Sequence, residues 1–374
     1  QPRMHESDHH ARPSLTPRLG IVGGGQLARM TAFAAIRLGC QVVVLEKNRH
    51  SPAAAVAEFI VGDWNEPGPL LELASQVDVV TLENEFVDAG LLRVLEDAGH
   101  KVFPSSRSLA SVQDKFEQKN LLTEAGLPTA DAFEVTNRGS LDEAILTLGL
   151  PLVLKARRNA YDGRGNATIR THDDADEAWQ KLGGHLGNPL YAEAFCDFSA
   201  ELAVIVTRSR NGECVTYPVV ETIQRDHVCH LVRAPAPLNE QVTKEAARIA
   251  RAAANAVEAV GSFGVELFLT RDCRVMVNEL APRVHNSGHY TIEASVCSQF
   301  ENHVRAVLGL PLGSTRMTAP AAAMVNLLAS DRGDGRVGGL AEALSVGGAH
   351  VHLYGKASAG KGRKMGHVTA LGAT

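Results

Sequence analysis

Two strand-like segments late in the chain carry residues suited to chemistry. Gly264-Val265-Glu266-Leu267-Phe268-Leu269 and Val275-Met276-Val277-Asn278-Glu279-Leu280 flank Arg271-Asp272-Cys273-Arg274. A hairpin turning about Asp272–Cys273 sets Glu266 opposite Glu279. Directly opposed side chains stand about 4.5–5.5 Å apart at Cβ, and like charges there are destabilising. Phe268 and Val277 are apolar neighbours on that face, so water screens the repulsion incompletely. A divalent cation between the carboxylates removes it. Oxygen ligands with few fixed protein partners suit magnesium held jointly with substrate phosphates, and Asn278 can add another oxygen. The alternative is two glutamates at a solvated, fraying hairpin end, and a bulge in the turn would upset the register.

Upstream, Lys155 ends the apolar run Leu152-Val153-Leu154. Alone, such a lysine is a strand meeting water. The segment Ala160-Tyr161-Asp162-Gly163-Arg164-Gly165-Asn166 follows, and its glycines let backbone approach phosphate oxygens and let a loop close. Alone, this segment reads as an exposed hairpin tip. Strand-end Glu193, strand-start Glu201 and the Glu266/Glu279 pair come next. One chemistry uses all of these together: binding ATP with magnesium and moving its γ-phosphoryl group to a carboxylate-type oxygen, by positioning and charge neutralisation. Neither a G-x-x-x-x-G-K-[ST] loop nor an H-R-D signature occurs, which disfavours those nucleotide folds.

The elements that must position these residues begin at Leu19. Leu19–Val22 reads as a buried strand running into Gly23-Gly24-Gly25, then a helix with Leu27, Met30, Ala34 and Leu38 at helical spacing, stopped by Gly39. Strands follow over Gln41–Leu45 and Val77–Leu82. Strands alternating with helices predict a doubly wound parallel α/β unit. Gly23-x-Gly25-x-x-Ala28 with Glu46 has the layout of a dinucleotide fingerprint, but a packing turn has the same layout, and both readings stay open here. One helix is predicted over Leu109–Ala125, stopped by Gly126 and Pro128. Beyond it lies a mostly antiparallel α+β region with strands Leu152–Lys155, Asn166–Ile169, Leu190–Glu193 and Leu202–Val206. A long helix carries Val242, Ala246, Ile249, Ala253, Val257 and Val260 on one face and ends at Gly261. A strand over Ala323–Leu328 precedes a loop-rich Tyr354–Val368.

The chain has 374 residues, 45% hydrophobic and 21% charged, with a net charge of −5 and no long single-sign block. That composition argues against global disorder, a dedicated nucleic-acid binder or a membrane-surface protein. No apolar run reaches the roughly 18 residues of a spanning helix. Six scattered cysteines without a C-x-x-C pair read as unpaired thiols of a reducing compartment. The first seventeen residues, with His5, His9 and His10, read as a flexible, solvated extension.

On these residues the chain resembles the ATP-grasp superfamily, and within it the 5-(carboxyamino)imidazole ribonucleotide synthase family of purine biosynthesis. The match runs from about Leu19 to Val368. It rests on Ile21-Val22-Gly23-Gly24-Gly25-Gln26-Leu27, Gly62-Asp63-Trp64, Glu83-Asn84-Glu85-Phe86-Val87 and Tyr161-Asp162-Gly163-Arg164-Gly165. The most specific segments are Asn278 to His289 (Asn-Glu-Leu-Ala-Pro-Arg-Val-His-Asn-Ser-Gly-His), Tyr354-Gly355-Lys356, and Gly362-Arg363-Lys364-Met365-Gly366-His367-Val368.

The resemblance implies an ATP-grasp fold: an N-terminal α/β unit (18–118) after the extension (1–17), a lid (119–196) and a larger C-terminal unit (197–374) ending in a substrate-phosphate segment. It implies a cytoplasmic homodimer. The reaction implied joins ATP, bicarbonate and 5-aminoimidazole ribonucleotide into the N-carboxylated amine, ADP and phosphate, with one or two magnesium ions. Carried over by motif, Arg107 and Lys155 contact phosphates, and Ala160, Tyr161, Asp162, Gly163, Arg164, Gly165 and Asn166 close over them. Glu193, Ala194, Phe195 and Cys196 form the adenine-side hinge, Glu201 binds the ribose, Gln224 and Asn278 lie beside the nucleotide, and Glu266 and Glu279 hold metal. Lys356 and Arg363 clamp the phosphate of the imidazole nucleotide, and Glu85 or Glu83 accepts from its ribose hydroxyls. Tyr161, Asp162, Arg164, Arg283, His285, Asn286 and Ser287 surround bicarbonate and the reacting amine, with Lys155, Asp162, Arg283 and His285 as the catalytic set.

Three positions depart from the family pattern: Ala160 replaces a glycine and stiffens the lid, Gln224 replaces a histidine and carries no proton, and His227 stands where glycine is common. The spacing of His285 and His289 also fits a zinc pair on one helix face, but Asn286-Ser287-Gly288 breaks such a helix. Formate-dependent glycinamide ribonucleotide transformylase and biotin carboxylase share the scaffold. A nicotinamide-dependent oxidoreductase using Gly23–Ala28 and Glu46, and a non-catalytic relic, are the alternatives from other classes.

Overall fold

The computed structural model describes residues 16–159 and 165–373. His5, His9 and His10 of the expected extension, and Ala160–Arg164 of the expected lid loop, lie outside the described residues.

Four short strands form a parallel sheet in the order Glu58–Val61, Gln41–Glu46, Arg18–Val22, Val79–Leu82, with Val102 bridging Val80 at one edge. Its middle strands are apolar on both faces because helices cover both. Ala28, Ala32 and Ala35 of the helix Gln26–Arg37 pack on one side, and Leu70, Leu73, Leu92 and Leu95 of two further helices pack on the other. Gly39, at φ +82°, stops the first helix as expected.

The single helix predicted over Leu109–Ala125 is two helices, Ser106–Gln113 and Lys115–Glu124. Asp114 breaks it: its backbone is extended, and its carboxylate accepts from the N–H groups of Phe116 and Glu117. A side-chain cap of this kind starts a new helix. The expected boundary at 118/119 therefore falls inside the second helix. Val112, Leu122 and Leu127 pack in the core of the large C-terminal sheet.

A four-stranded antiparallel sheet follows, in the order Ala132–Val135, Leu190–Ala194, Leu152–Ala156, Asn166–Ile169. Beyond it lies a nine-stranded antiparallel sheet. Its path runs Val275–Ala281, Gly261–Thr270, Phe198–Arg208, Val220–Arg225, Val228–Ala234, Ala321–Leu328, Lys364–Gly372, Ala349–Leu353, and Cys214–Thr216 pairs beside Phe198–Arg208. Lys364–Val368, expected as loop, is thus strand, anchored by buried His367 and Thr369. The long helix is Glu240–Val257 and ends at Glu258, which takes the left-handed cap at φ 56°. Val260 and Gly261 lie outside it.

Gly261 opens a strand at φ +116°, and a Cβ there would stand 2.7 Å from Nδ1 of His303. That ring ties two units together. Its Nδ1 accepts from Ser262 N at 3.0 Å, and its Nε2 lies 2.8 Å from Thr81 Oγ1 of the N-terminal sheet. Burial pushes its pKa down to about 4, so it is a neutral bridge.

Candidate active site

The hairpin Gly261–Thr270/Val275–Ala281 pairs Glu266 with Glu279. Two compensating offsets produce that pairing. The turn holds three residues, Arg271, Asp272 and Cys273, with Cys273 at φ 61°, so Leu269 faces Val275 and Leu267 faces Val277. A bulge then places both Asn278 and Glu279 opposite Glu266, shifting the register back by one. Val277 and Leu280 stay in the core while Asn278 and Glu279 line a cavity together with Glu266. Neighbours on a regular strand point to opposite faces; the bulge gathers three oxygen-bearing side chains on one.

That cavity has a volume of about 600 Å³ and lies between the four-stranded antiparallel sheet and the large sheet. It brings together fourteen of the expected residues: Lys155, Asn166, Glu193, Ala194, Phe195, Cys196, Glu201, Gln224, Glu266, Asn278, Glu279, His285, Asn286 and Ser287. Phe198 and Phe268 stack at one wall, rings 4.6 Å apart and nearly parallel, a flat apolar surface of the kind a base can cover.

Charge is arranged in close pairs. Glu279 Oε2 lies 3.5 Å from Lys115 Nζ, and Glu266 Oε1 lies 3.2 Å from His285 Nε2. Burial opposes ionisation of Glu266, yet the His285 ring, with Lys115 and Lys364 farther off, holds its carboxyl below the usual range. Burial and the charge of Glu266 push Glu201 up to about 7. His285 is fixed from several sides. Ser287 Oγ meets its Nδ1 at 2.8 Å, and the fully buried Gln299 accepts from its backbone N–H and donates to its carbonyl. The amide of Asn286 pairs reciprocally with that of Asn326, which also donates to the carbonyl of Cys229.

Several expected residues stand elsewhere. Arg107 projects from the helix Ser106–Gln113, its side chain 90% exposed and 3.9 Å from Glu258. The cation of that region that reaches the cavity is Lys115, the first residue after the Asp114 cap. Arg283 grips Glu85 through Nε and Nη2, away from the cavity lining; burial opposes ionisation of that carboxyl, but the guanidinium pulls Glu85 down to about 2. Arg363 is exposed and donates to Ser358, while its neighbour Lys364 lines the cavity. Lys356 sits 5.7 Å from the Tyr354 ring centroid, next to Gly355 and outside the cavity lining. Tyr161, Asp162 and Arg164 are outside the described residues.

The glycine turn is filled by protein. A Cβ on Gly25 would meet Glu83 Oε1 at 2.2 Å, and one on Gly24 would meet Ser51 and Glu46. Glu83 lies at the helix start, where burial pushes its pKa up, and Gly24 N–H donates to Glu46 at 3.0 Å. Carboxylates occupy the place a pyrophosphate would need, which removes the basis for the oxidoreductase alternative. His285 and His289 flank a short 3₁₀ turn, Asn286–Gly288. His289 is buried in a different direction, against Phe300 and His367, so the two do not form a zinc pair.

Among the described residues no cluster of three or more His, Cys, Asp and Glu forms a metal cage. Two opposed carboxylates and an amide on one face instead match a magnesium ion that completes its shell with phosphate and water. In this structure Lys115 offsets the charge of Glu279, and the His285 ring stands against Glu266. Sequence reasoning does not single out Lys115, Lys364 or Asn326. Only the Asp-Lys-Phe step of a helix cap points toward the first. No helix is long and apolar enough to cross a membrane among the described residues.

Three family models match in order: a ribonucleotide synthetase preATP-grasp domain over residues 17–113, an ATP-grasp domain over 120–300, and a phosphoribosylaminoimidazole carboxylase C-terminal domain over 322–374. An N5-carboxyaminoimidazole ribonucleotide synthase of Synechococcus elongatus is 42% identical over 353 residues, 94% of this chain and 88% of that one. A phosphoribosylaminoimidazole carboxylase of Ogataea methanolica is 43% identical over 94% of this chain, but the match spans only 66% of that protein's length. A crystal structure of the Aspergillus clavatus carboxyaminoimidazole ribonucleotide synthase with ATP has a TM-score of 0.89 at 40% identity, covering 96% of this chain and 94% of that one. A second, of the Aspergillus clavatus N5-carboxyaminoimidazole synthase with ADP and 5-aminoimidazole ribonucleotide, also has 0.89, at 38% identity over the same shares. The oxygen-bearing hairpin, the lysine-lined cavity and these likenesses along the chain agree: it belongs to the N5-carboxyaminoimidazole ribonucleotide synthase family of ATP-grasp proteins.

Proposed function

We propose that the chain uses ATP to carboxylate the exocyclic amine of 5-aminoimidazole ribonucleotide with bicarbonate, giving the N-carboxyamino product, ADP and phosphate in purine biosynthesis. The observation that carries the reading is the cavity in which Lys155, Lys115 and Lys364 surround Glu266, Asn278 and Glu279.

The triphosphate lies along the lysines, with adenine beside Phe198 and Phe268 and ribose toward Glu201. Magnesium, when bound at Glu266 and Glu279 with Asn278, offsets phosphate charge and polarises the γ-phosphoryl group. A bicarbonate oxygen attacks the γ-phosphorus as its bond to ADP breaks, forming carboxyphosphate. The amine then takes up its carbon, or that of carbon dioxide released from it, and phosphate leaves. Lys155 and Lys115 offset charge in the first step. His285, held by Ser287 and Gln299, faces the reacting groups and, with Asp162, takes the amine proton. Walls on both sides keep water from the labile intermediate. Lys356 and Arg363 bind the substrate phosphate, as two cations suit a dianion, and Glu85 orients Arg283 at the imidazole side.

The same proposal includes a homodimer in the cytoplasm, an N-terminal unit, a lid and a C-terminal unit. Light scattering at twice the 39.9 kDa chain mass tests the dimer. Phosphate release from ATP, with bicarbonate and each candidate amine omitted in turn, tests the reaction. Release that depends on 5-aminoimidazole ribonucleotide and bicarbonate is expected; release driven by formate and glycinamide ribonucleotide would overturn it.

A further inference from the structure

Glu193 is buried at 3% exposure on the strand Leu190–Ala194, and each of its oxygens faces a different lysine. Lys155 Nζ donates to Oε1 at 3.1 Å from the neighbouring strand, and Lys119 Nζ stands 2.9 Å from Oε2. The two lysines differ in access. The side chain of Lys155 is 15% exposed and lines the cavity, while that of Lys119 is 4% exposed and stands behind the lining. Lys119 lies one helical turn beyond Lys115, so one helix places a cation on Glu279 and a second on Glu193.

We propose that Lys119 is a positioning residue that holds the charge of Glu193 so that Lys155 is free to move onto the triphosphate. This rests on the nucleotide reading of the cavity. A buried carboxylate with one cationic partner binds that partner tightly, because losing it leaves an uncompensated charge in a medium of low dielectric. With Lys155 as sole partner, nucleotide binding would have to break that pair. With Lys119 fixed on the second oxygen, Glu193 stays compensated when Lys155 leaves, and the trio presents a net positive charge toward the cavity. Burial lowers the pKa of Lys119, while Glu193 acts to keep it charged. Burial opposes ionisation of Glu193 as well, but the two lysines hold it ionised.

Lys119 thus acts on nucleotide through another side chain, which gives the idea a signature that a packing role lacks. Binding of the β,γ-imido analogue of ATP with magnesium is measured by calorimetry on the full chain. Lys119→Met is expected to weaken binding about tenfold, since Lys155 is then retained by Glu193. Lys119→Met/Glu193→Gln removes both buried charges and is expected to bind within about twofold of Glu193→Gln alone, so that the loss from Lys119→Met vanishes once Glu193 is neutral. An unchanged affinity in Lys119→Met, or an equal loss of about tenfold when Lys119→Met is added to Glu193→Gln, overturns the proposal. Should Lys119→Met not fold, the comparison of Glu193→Gln with the double variant carries the test. Affinities within about twofold support action through Glu193, and a further tenfold loss overturns it. A wild-type chain that fails to bind the analogue overturns the nucleotide reading itself, whereas normal wild-type binding with a silent Lys119 overturns only this role.

Discussion

Glu266 and Glu279 oppose each other across an antiparallel pair, and a bulge at Asn278 turns a third oxygen donor onto their face. Like charges in that position destabilise a sheet unless something cationic sits against them. In this chain Lys115 is that cation for Glu279, the His285 ring meets Glu266 at 3.2 Å, and in the proposed function a metal–nucleotide complex takes their place. Glu266→Gln and Glu279→Gln are each expected to slow phosphate release by at least about a hundredfold, the scale of a lost transition-state contact. Fold is expected to persist, since relieving the repulsion does not weaken the sheet. Steady-state phosphate release with circular dichroism on the same samples checks both.

Arg107 and Lys115 make opposite predictions. Arg107 is exposed and outside the cavity, so Arg107→Ala is expected to change the KM for ATP by less than about twofold, as surface changes do. Lys115→Met is expected to raise it about tenfold or more, because a partly buried cation facing phosphate is lost. ATP titrations of the two variants separate them.

Glu201 gives a pH signature. Its carboxyl titrates near 7 in the folded chain, against about 4.3 in an unfolded one. The folded state therefore holds the extra proton between those values, and stability falls as pH rises through that window and then levels off. Glu201→Gln removes this loss. Its Tm is expected to exceed that of wild type by about 2 °C at pH 8 and by less at pH 5.5. A gap equal at both pH values would contradict the assignment.

The Glu85–Arg283 pair runs the other way. With Glu85 held near 2, its ionisation favours the folded state above the ordinary carboxylate range. That contribution, on the order of 3 kcal/mol, is lost as pH falls toward 2. Arg283→Met leaves the carboxylate buried and unpaired and is expected to cost about 3–5 kcal/mol at pH 7. Urea unfolding at pH 7 and pH 3 checks the size and the sign, with the difference between variant and wild type shrinking at the lower pH.

Much of this is legible in the sequence because the chemistry sits on strands whose apolar partners fix their faces. Val265, Leu267 and Leu269 face the core, so Glu266 and Phe268 must face out. The glutamate pairing follows from sequence although the expected two-residue turn is one residue short, because a three-residue turn and a one-residue bulge cancel. Neither offset has a sequence mark, since Cys273 takes φ 61° where glycine or asparagine is the usual signal.

Other features depend on tertiary context. Asp114 looks like one more polar residue in a helix, but its capping of Phe116 and Glu117 starts a new helix at Lys115, a residue that lines the cavity. The long helix stops at Glu258, which takes the left-handed cap itself, and the expected glycine, Gly261, instead opens the next strand against the ring of His303. Lys364 and Asn326 arrive from the end of the chain through the order of strands in the large sheet, which local pattern does not encode. Arg283 is expected at the bicarbonate, but its partner Glu85 lies 198 residues earlier, in the N-terminal unit.

The proposed reaction requires Glu266 and Glu279 together to hold a divalent cation shared with nucleotide. Manganese binding measured by electron paramagnetic resonance, with ADP present and with ADP absent, tests it most directly. Wild type is expected to take up manganese strongly only with ADP, and Glu266→Gln/Glu279→Gln to lose that uptake while staying folded. Equal ADP-dependent uptake by the double variant would show that the cation is held elsewhere.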